Sequence, residues 1–258
     1  AQALYELTTQ SMKTIRIYSA ESECEGQHRY AVADADLRNR GYTLVFHTLQ
    51  EMVAIPEATR LAIVRDLNSD LPERCLKGIE KFFENGGNLL VLIDEGRMPI
   101  LSQFMKTYNI ELGDDIIMGV GNSAFDFNPL IQLVFPNKAH PAFAQGAVPG
   151  VFFRARSVQV GTEFRRGYTW AILCQSGRGT WAETDHESIA RNAAVFESGS
   201  DVYGPVSVGV TIEKEGCADS SVKKGRLAVI GGCNFITEHY YTILGNADLY
   251  KKTVEWLA

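Results

Sequence analysis

Asn85-Gly-Gly-Asn-Leu-Leu-Val-Leu-Ile-Asp-Glu-Gly-Arg97 is the stretch whose reading decides the fold. A double glycine ends a helix, five apolar residues make a buried strand, and the strand runs out into Asp94-Glu95-Gly96 before the next helix. In open α/β sheets ligands bind beyond the carboxyl ends of the strands, so a catalytic group belongs here. A strand-to-helix elbow built for nucleophilic attack carries Ser or Cys at its tip. This tip offers two carboxylates and a glycine. It reads as an enzyme-type scaffold without covalent chemistry.

The same alternation extends on both sides. Upstream, Ile15–Ser19 reads as a strand, 28–40 as a helix stopped by Gly41, and Tyr42–Leu49 and Leu61–Asp66 as strands. Leu71-Pro72-Glu73 opens a helix, with Pro placed where its missing N–H costs nothing, and Leu76, Ile79, Phe82 and Phe83 share one face. Residues 98–109 form the next helix. Strands separated by helices of this length predict βαβ units, a largely parallel sheet and the α/β class. Residues 119–165 carry Gly, Asn, Pro and Phe with only short strand candidates, Ser157–Val160 the clearest. They are expected to form a long, irregular central excursion, an insertion or small lobe within a single domain spanning 1–258. Tyr168–Cys174, Val206–Glu213 and Arg226–Gly232 read as strands, 175–204 and 214–225 as loops, and Asp248–Leu257 as an amphipathic helix.

The chain has 258 residues, 45% of them hydrophobic, enough for a proper core. A formal charge of −6 argues against a nucleic-acid partner. No apolar run approaches the roughly 20 residues that span a bilayer, and no signal peptide is recognisable. Membrane attachment would come only through segments outside this chain, which begins at Ala1 without Met. Five scattered cysteines without CxxC spacing rule out a disulfide scaffold and leave the compartment open.

Each candidate site has a plainer reading beside it. Asp94 and Glu95 could bind a cation or do acid–base work, or could solvate a loop and cap the following helix. Gly231-Gly-Cys-Asn-Phe235 places a thiol at a second strand-to-turn junction, with His239 six residues on, which suggests either a Cys–His pair or a small buried thiol. The histidines His28, His47, His140, His186 and His239 have no HxH, HxxxH or HExxH spacing, so no metal site is expected. His140-Pro141 reads as a turn and Asp185-His186-Glu187 as a solvated polar cluster. Gly119-Val-Gly-Asn122 and Gly177-Arg-Gly-Thr180 lack phosphate-loop form, and no cofactor is expected. Trp181, beside Glu183, Asp185 and His186, could face a sugar or protein, or pack at a loop base.

Several stretches in order resemble one family, the extracytoplasmic domain of the auxiliary component of ABC-type transport systems, including the gliding-motility component GldG. They are Leu37-Arg-Asn-Arg-Gly-Tyr42, Leu71-Pro72-Glu73 with Phe82, Gly86-Gly87 and Leu89–Asp94, and Tyr108-Asn-Ile-Glu-Leu-Gly-Asp-Asp115. Then come His140-Pro141, Phe153-Arg-Ala-Arg-Ser-Val158, Ser176 with Trp181–Asp185, Gly204-Pro205 and Arg226–Gly231. The end, Gly245-Asn246-Ala-Asp-Leu249 followed by Glu255-Trp256-Leu257, is the most distinctive, and the likeness covers about 13–258. It departs at Asp66-Leu-Asn-Ser, where a proline-containing loop is usual, and at Gly231–Phe235, where Gly-Asp-Ser-x-Phe is common. The family's tethering helices and preceding thioredoxin-like part are absent here, as expected of an excised domain.

The resemblance implies a three-layer, flavodoxin-like or class I glutamine-amidotransferase-like sheet, also seen in the intraflagellar-transport domain named for that likeness. It implies a non-enzymatic, periplasmic domain of a membrane-anchored transporter subunit. Its partners would be the permease and ATPase subunits or an export substrate. Two other readings stand beside it: an amidotransferase-like hydrolase using Cys233 and His239, and a carbohydrate-binding domain centred on Trp181. If a ligand binds, the residues expected at the crest are Glu21, Asp66, Asp94, Glu95 and Asn234, which follow strands, with Trp181 added.

Overall fold

The structure is a computed structural model that describes residues 14–20, 28–120, 127–216 and 224–258. Its first half follows the alternation expected. Strand β1 (Thr14–Ser19), helix α1 (Ala31–Asn39), β2 (Thr43–Thr48), β3 (Leu61–Leu67), α2 (Glu73–Glu84), β4 (Leu89–Ile93) and α3 (Pro99–Lys106) come in order. The stop at Gly86-Gly87 is a Schellman cap. Gly86 sits at φ +87 and donates to the Phe83 carbonyl at 2.9 Å, while Gly87 N–H reaches back to Phe82 O at 2.9 Å. Pro72 stands just outside α2 rather than in its first turn. Helix α3 ends earlier than expected, and Asn109 beyond it takes φ +57.

The second half contains more strand than its sequence suggests. It adds β5 (Ile110–Leu112), β6 (Ile116–Gly119), β7 (Ile131–Pro136), β8 (Gly150–Phe153), β9 (Val158–Val160) and β10 (Tyr168–Ser176). Then follow β11 (Thr180–Glu183), α4 (His186–Ala190), β12 (Val202–Tyr203), β13 (Ser207–Lys214), β14 (Gly225–Ile230) and α5 (Asn246–Leu257).

One nine-stranded sheet has the order β2-β1-β3-β4-β14-β13-β10-β7-β8. The pairings from β2 through to β14 are parallel, and those from β14 on to β8 are antiparallel. Only β13 and β7 oppose the common direction, so the sheet is mixed but mostly parallel. The 119–165 excursion is therefore partly a correction: β7 and β8, drawn from it, form the far edge of the main sheet. The 175–204 stretch, expected as loop, supplies β11, α4 and β12, and β11 sits between β12 and β6 in a separate three-stranded sheet. Strands of four and two residues are too short to show a period.

Two apolar clusters lie on opposite faces of the main sheet. Ile15, Ile17, Leu61, Ile63, Leu90 and Leu92 pack with Ala33 and Leu37 of α1 and Leu249, Tyr250 and Val254 of α5. Ala62, Val64, Leu89, Val91 and Ile93 pack with Leu76, Ile79 and Phe83 of α2 and Leu101 and Met105 of α3. All five residues of β4 are fully buried, which explains its unbroken apolar run, each side chain contributing about 1.5–3 kcal/mol. Among the described residues no helix is long and apolar enough to cross a membrane.

Candidate functional site: the crest at the strand ends

The chain passes outward from β1 to β2 and then returns to the other side of β1 as β3, so the strand order reverses at β1/β3. Such a switch point opens a crevice beyond the carboxyl ends. Arg29 and Tyr30, ahead of α1, Asp66 in β3, Asp94 after β4 and Cys233 after β14 all arrive there. They close a ring of contacts. Cys233 N–H donates to Asp94 Oδ1 at 2.7 Å, and the Cys233 thiol donates to Tyr30 Oη at 3.0 Å. Tyr30 O–H in turn donates to Asp66 Oδ1 at 2.5 Å. Arg29 binds Asp66 directly and lies 3.9 Å from Asp94 Oδ2.

Local backbone makes this possible. The register between β3 and β4 shifts between Val64 and Leu67, and Asp66 takes φ +61. An L-residue adopts that region at a cost, and Asp tolerates it better than most. Below Tyr30, Arg65 grips Asp34 of α1 through two bonds of 2.9 and 2.8 Å, both side chains fully buried. The Arg65 guanidinium carbon lies 4.2 Å from the Tyr30 ring centroid, so the buried ion pair also forms the floor of the site.

Arg29 offsets part of the negative charge that Asp66 and Asp94 bring to the ring. Burial pushes the Asp94 carboxyl above its ordinary pKa, against the pull of Cys233 N–H and Arg29. Burial, reinforced by Asp94, pushes the Cys233 thiol up, and burial with Cys233 does the same to the Tyr30 hydroxyl. A thiol held protonated and completely buried is a poor nucleophile. One carboxylate oxygen each from Asp66 and Asp94 and the Cys233 sulfur lie within 4.8 Å of one another, a donor set that could hold a cation. Arg29 already supplies the positive charge between the two carboxylates, so a metal would have to displace it.

The elbow beside the ring is clamped by a buried arginine. Arg156 donates to Asp94 O at 3.1 Å and Gly96 O at 3.0 Å, and also to Gly113 O. Gly96 takes φ +136, and a Cβ there would drive into Asn68 O, so no other residue fits comfortably. Glu95 turns outward to Arg154 at 2.6 Å. Neither acid caps α3, because Asp70 accepts from Ile100 N–H and Leu101 N–H at 3.2 and 2.9 Å. A cavity of about 390 Å³ opens beside the elbow, walled by Gly96, Arg97, Ser102, Asp114 and Arg156.

Of the residues expected at the crest, Asp66 and Asp94 come together, with a carboxylate oxygen of each within 4.8 Å of the other and Arg29 facing both. Glu95 adjoins them, and Asn234 follows Cys233 and donates to Phe153 O at 3.4 Å. Glu21 lies outside the described residues. Trp181 does not join the crest: it sits on β11, packs with Ile116, Met118 and Ile189, and donates to Glu183 Oε2 at 3.0 Å. The suggested Cys233–His239 pair is not formed either. The thiol is spent on Tyr30, while His239 is exposed and rests edge-on against Tyr240, with ring centroids 4.7 Å apart. His140 heads a short turn as expected, its Nδ1 accepting from Ala142 N–H at 3.1 Å. Asp185, His186 and Glu187 are exposed, as expected of a solvated cluster, and Asp185 also caps α4 by accepting from Glu187 and Ser188 N–H.

Arg29, Tyr30, Arg154 and Arg156 escaped the reading of the sequence. The only signal was the Phe153–Val158 segment, whose two arginines turn out to hold Glu95 and the elbow.

No protein-family profile and no curated protein matches the chain. Its fold is similar to that of the mmIFT52 N-terminal domain, with a TM-score of 0.65 at 12% identity over 93% of this chain and 96% of that one. It is also similar to the cytoplasmic protein STM3548 from Salmonella typhimurium (TM-score 0.54, 12% identity, 95% and 98% covered). A ThuA-like protein from Bacteroides uniformis ATCC 8492 has a TM-score of 0.53 at 13% identity, with 95% and 91% covered. At these identities the likeness is one of fold, an α/β architecture built on a mixed, mostly parallel sheet.

Proposed function

We propose that the chain is a non-catalytic binding domain, the extracytoplasmic part of an ABC transporter auxiliary subunit. Its fold in this reading is the three-layer arrangement shared by flavodoxin-like and class I glutamine-amidotransferase-like domains. It docks the permease and ATPase subunits or an export substrate, in export or gliding-type surface transport, on the outer side of the cytoplasmic membrane. The observation that carries this reading is the fate of Cys233. At the strand ends, where an enzyme on such a sheet would present an activated nucleophile, this thiol is buried and donates a hydrogen bond to the Tyr30 hydroxyl oxygen. Catalysis would require an exposed thiolate beside a base. The crest offers a preformed surface of fixed charges instead, with Glu95, Arg154 and Arg29 outermost. The ordered sequence likeness, ending in Gly245–Leu249, supplies the transporter assignment.

Two measurements test it. Affinity capture from detergent-solubilised membranes of cells expressing the protein in its native membrane context should recover an ABC permease and ATPase, and capture with Glu95→Arg/Arg154→Glu should recover less. Recovery of neither subunit counts against the assignment. Purified protein should also leave ester, amide and glycoside substrates intact. Hydrolysis lost on Cys233→Ala would overturn the non-catalytic reading.

A further inference from the structure

The two edges of the main sheet are treated differently. At one edge, β8 is closed by the side chain of Asn246, which satisfies both the N–H and the C=O of Val151. At the other, β2 pairs with β1 without interruption from Thr14↔Thr43 to Ser19↔Thr48. Among the described residues, no further strand adjoins β2, and no backbone hydrogen bond from Thr43 to His47 leaves the β1 side. The outward N–H and C=O groups of alternate residues are left for another chain.

Exposed strand edges invite pairing, and proteins that keep them free blunt them with Lys, Pro, a bulge or an inward-pointing charge. Thr43-Leu-Val-Phe-His-Thr48 has none of these. Its register with β1 shows no bulge, and it contains neither proline nor a residue charged when histidine is neutral. The groups on such an edge repeat at the spacing of an extended polypeptide, so only another strand satisfies them together.

We infer that a second copy of this chain adds its own β2 across this edge, antiparallel about a two-fold axis, making one continuous sheet through both molecules. A two-fold axis perpendicular to the sheet keeps matching faces together. Centred on Val45, it sets Leu44 opposite Phe46 of the second copy on the face that both residues already share with α1. Val45 then meets its own equivalent, and Thr43 meets His47, on the other face. Aliphatic–aromatic pairs stabilise cross-strand contacts, and no like charges are opposed. On α1, which covers Leu44 and Phe46, Val32 is 40% exposed and adds apolar surface. The strand is thus complementary to itself, which favours a like partner over a charged foreign segment.

Sedimentation of the purified chain across a concentration series tests this, together with amide hydrogen exchange of residues 43–48 at each concentration. The expected result is a rise from 28.6 kDa towards twice that mass, with exchange of 43–48 slowing in step. Val45→Lys, with an unchanged thermal transition, should remain monomeric. A monomer at every concentration, or protection of 43–48 that does not vary with concentration, overturns the inference. So does a dimer whose 43–48 amides stay unprotected. Should Val45→Lys fail to fold, the concentration dependence of the wild-type amides still decides.

Discussion

The side-chain amide of Asn246 takes the place of a neighbouring strand for Val151. Its Oδ1 accepts from Val151 N–H at 2.7 Å, and its Nδ2 donates to Val151 O at 2.9 Å and to Tyr240 O at 2.9 Å. The group is fully buried at the start of α5, and Gly150 leaves no Cβ to obstruct it. A single amide thereby joins the last helix to the last strand of the sheet.

Removing that amide should be costly. Asn246→Ala strips partners from one buried N–H and two carbonyls, and each unsatisfied group costs about 1–3 kcal/mol. Urea unfolding should show a loss of about 3 kcal/mol or more, with the m-value unchanged. Asn246→Asp keeps an acceptor for Val151 N–H but turns a carboxylate towards two carbonyls. Its deficit should therefore be larger at pH 7 than in acid. A loss below 1 kcal/mol would mean that water replaces the amide.

The buried thiols should be inert in the native state. Cys75, Cys174 and Cys233 are all buried, and burial raises Cys174 and Cys233 above the usual thiol range. Site-resolved alkylation should be more than about a thousandfold slower at these three than in urea, because access requires opening against several kcal/mol. Fast native labelling at Cys233 alone would show that the Tyr30 contact does not hold it.

Asp94 should make stability depend on pH with a definite sign. Its folded pKa is raised, chiefly by burial, above the ordinary value of 3.8. The folded state therefore holds its proton more tightly than the unfolded chain. The favourable contribution is complete below 3.8 and is lost as pH rises through the raised folded value. Asp94→Asn removes that dependence while keeping an acceptor for Cys233 N–H. The stability of the variant relative to wild type should improve as pH rises from 4 towards 7, levelling off above the raised folded value. A constant difference across that range would refute the assignment.

Arg156 should matter to the elbow through its donors rather than its charge. Arg156→Met leaves the carbonyls of Asp94, Gly96 and Gly113 without their donor, an expected loss of about 3 kcal/mol or more. Arg156→Lys should recover only part, since an ammonium cannot reproduce the planar fork. Equal stability for Lys and Arg in thermal unfolding would show that charge suffices.

The legible part of this molecule is the part with strong local patterns. The Gly86-Gly87 stop, the apolar β4 and the face of α2 could be read directly, and so could the arrival of Asp66 and Asp94 at one edge. Boundaries differ at the start of α1, which begins at Ala31 rather than 28, and at the end of α3, where tighter turns through Thr107–Asn109 replace the last helical turn. β7 and β8 were hidden in the 119–165 stretch because β8 is only four residues long and β7 turns Gln132 inward while Phe135 faces out, which blurs its alternation. Trp181 was misplaced with the crest because its strand belongs to a different sheet, which no local feature records.

What the sequence by itself determined is the α/β class, the succession of the first four strands along the chain and the absence of a nucleophile at the Asp94-Glu95-Gly96 tip. These follow from periodicity and from residue type at a turn, both of which act over a few neighbours. Only the tertiary structure decided what becomes of Cys233. Its partners Tyr30 and Asp94 are 203 and 139 residues away: Asp94 meets it because β4 pairs in parallel with β14, and Tyr30 arrives from the segment between β1 and α1. Whether a thiol is a nucleophile or a buried donor depends on its burial and on the charges around it, and those are set by contacts that the chain makes only once it has folded.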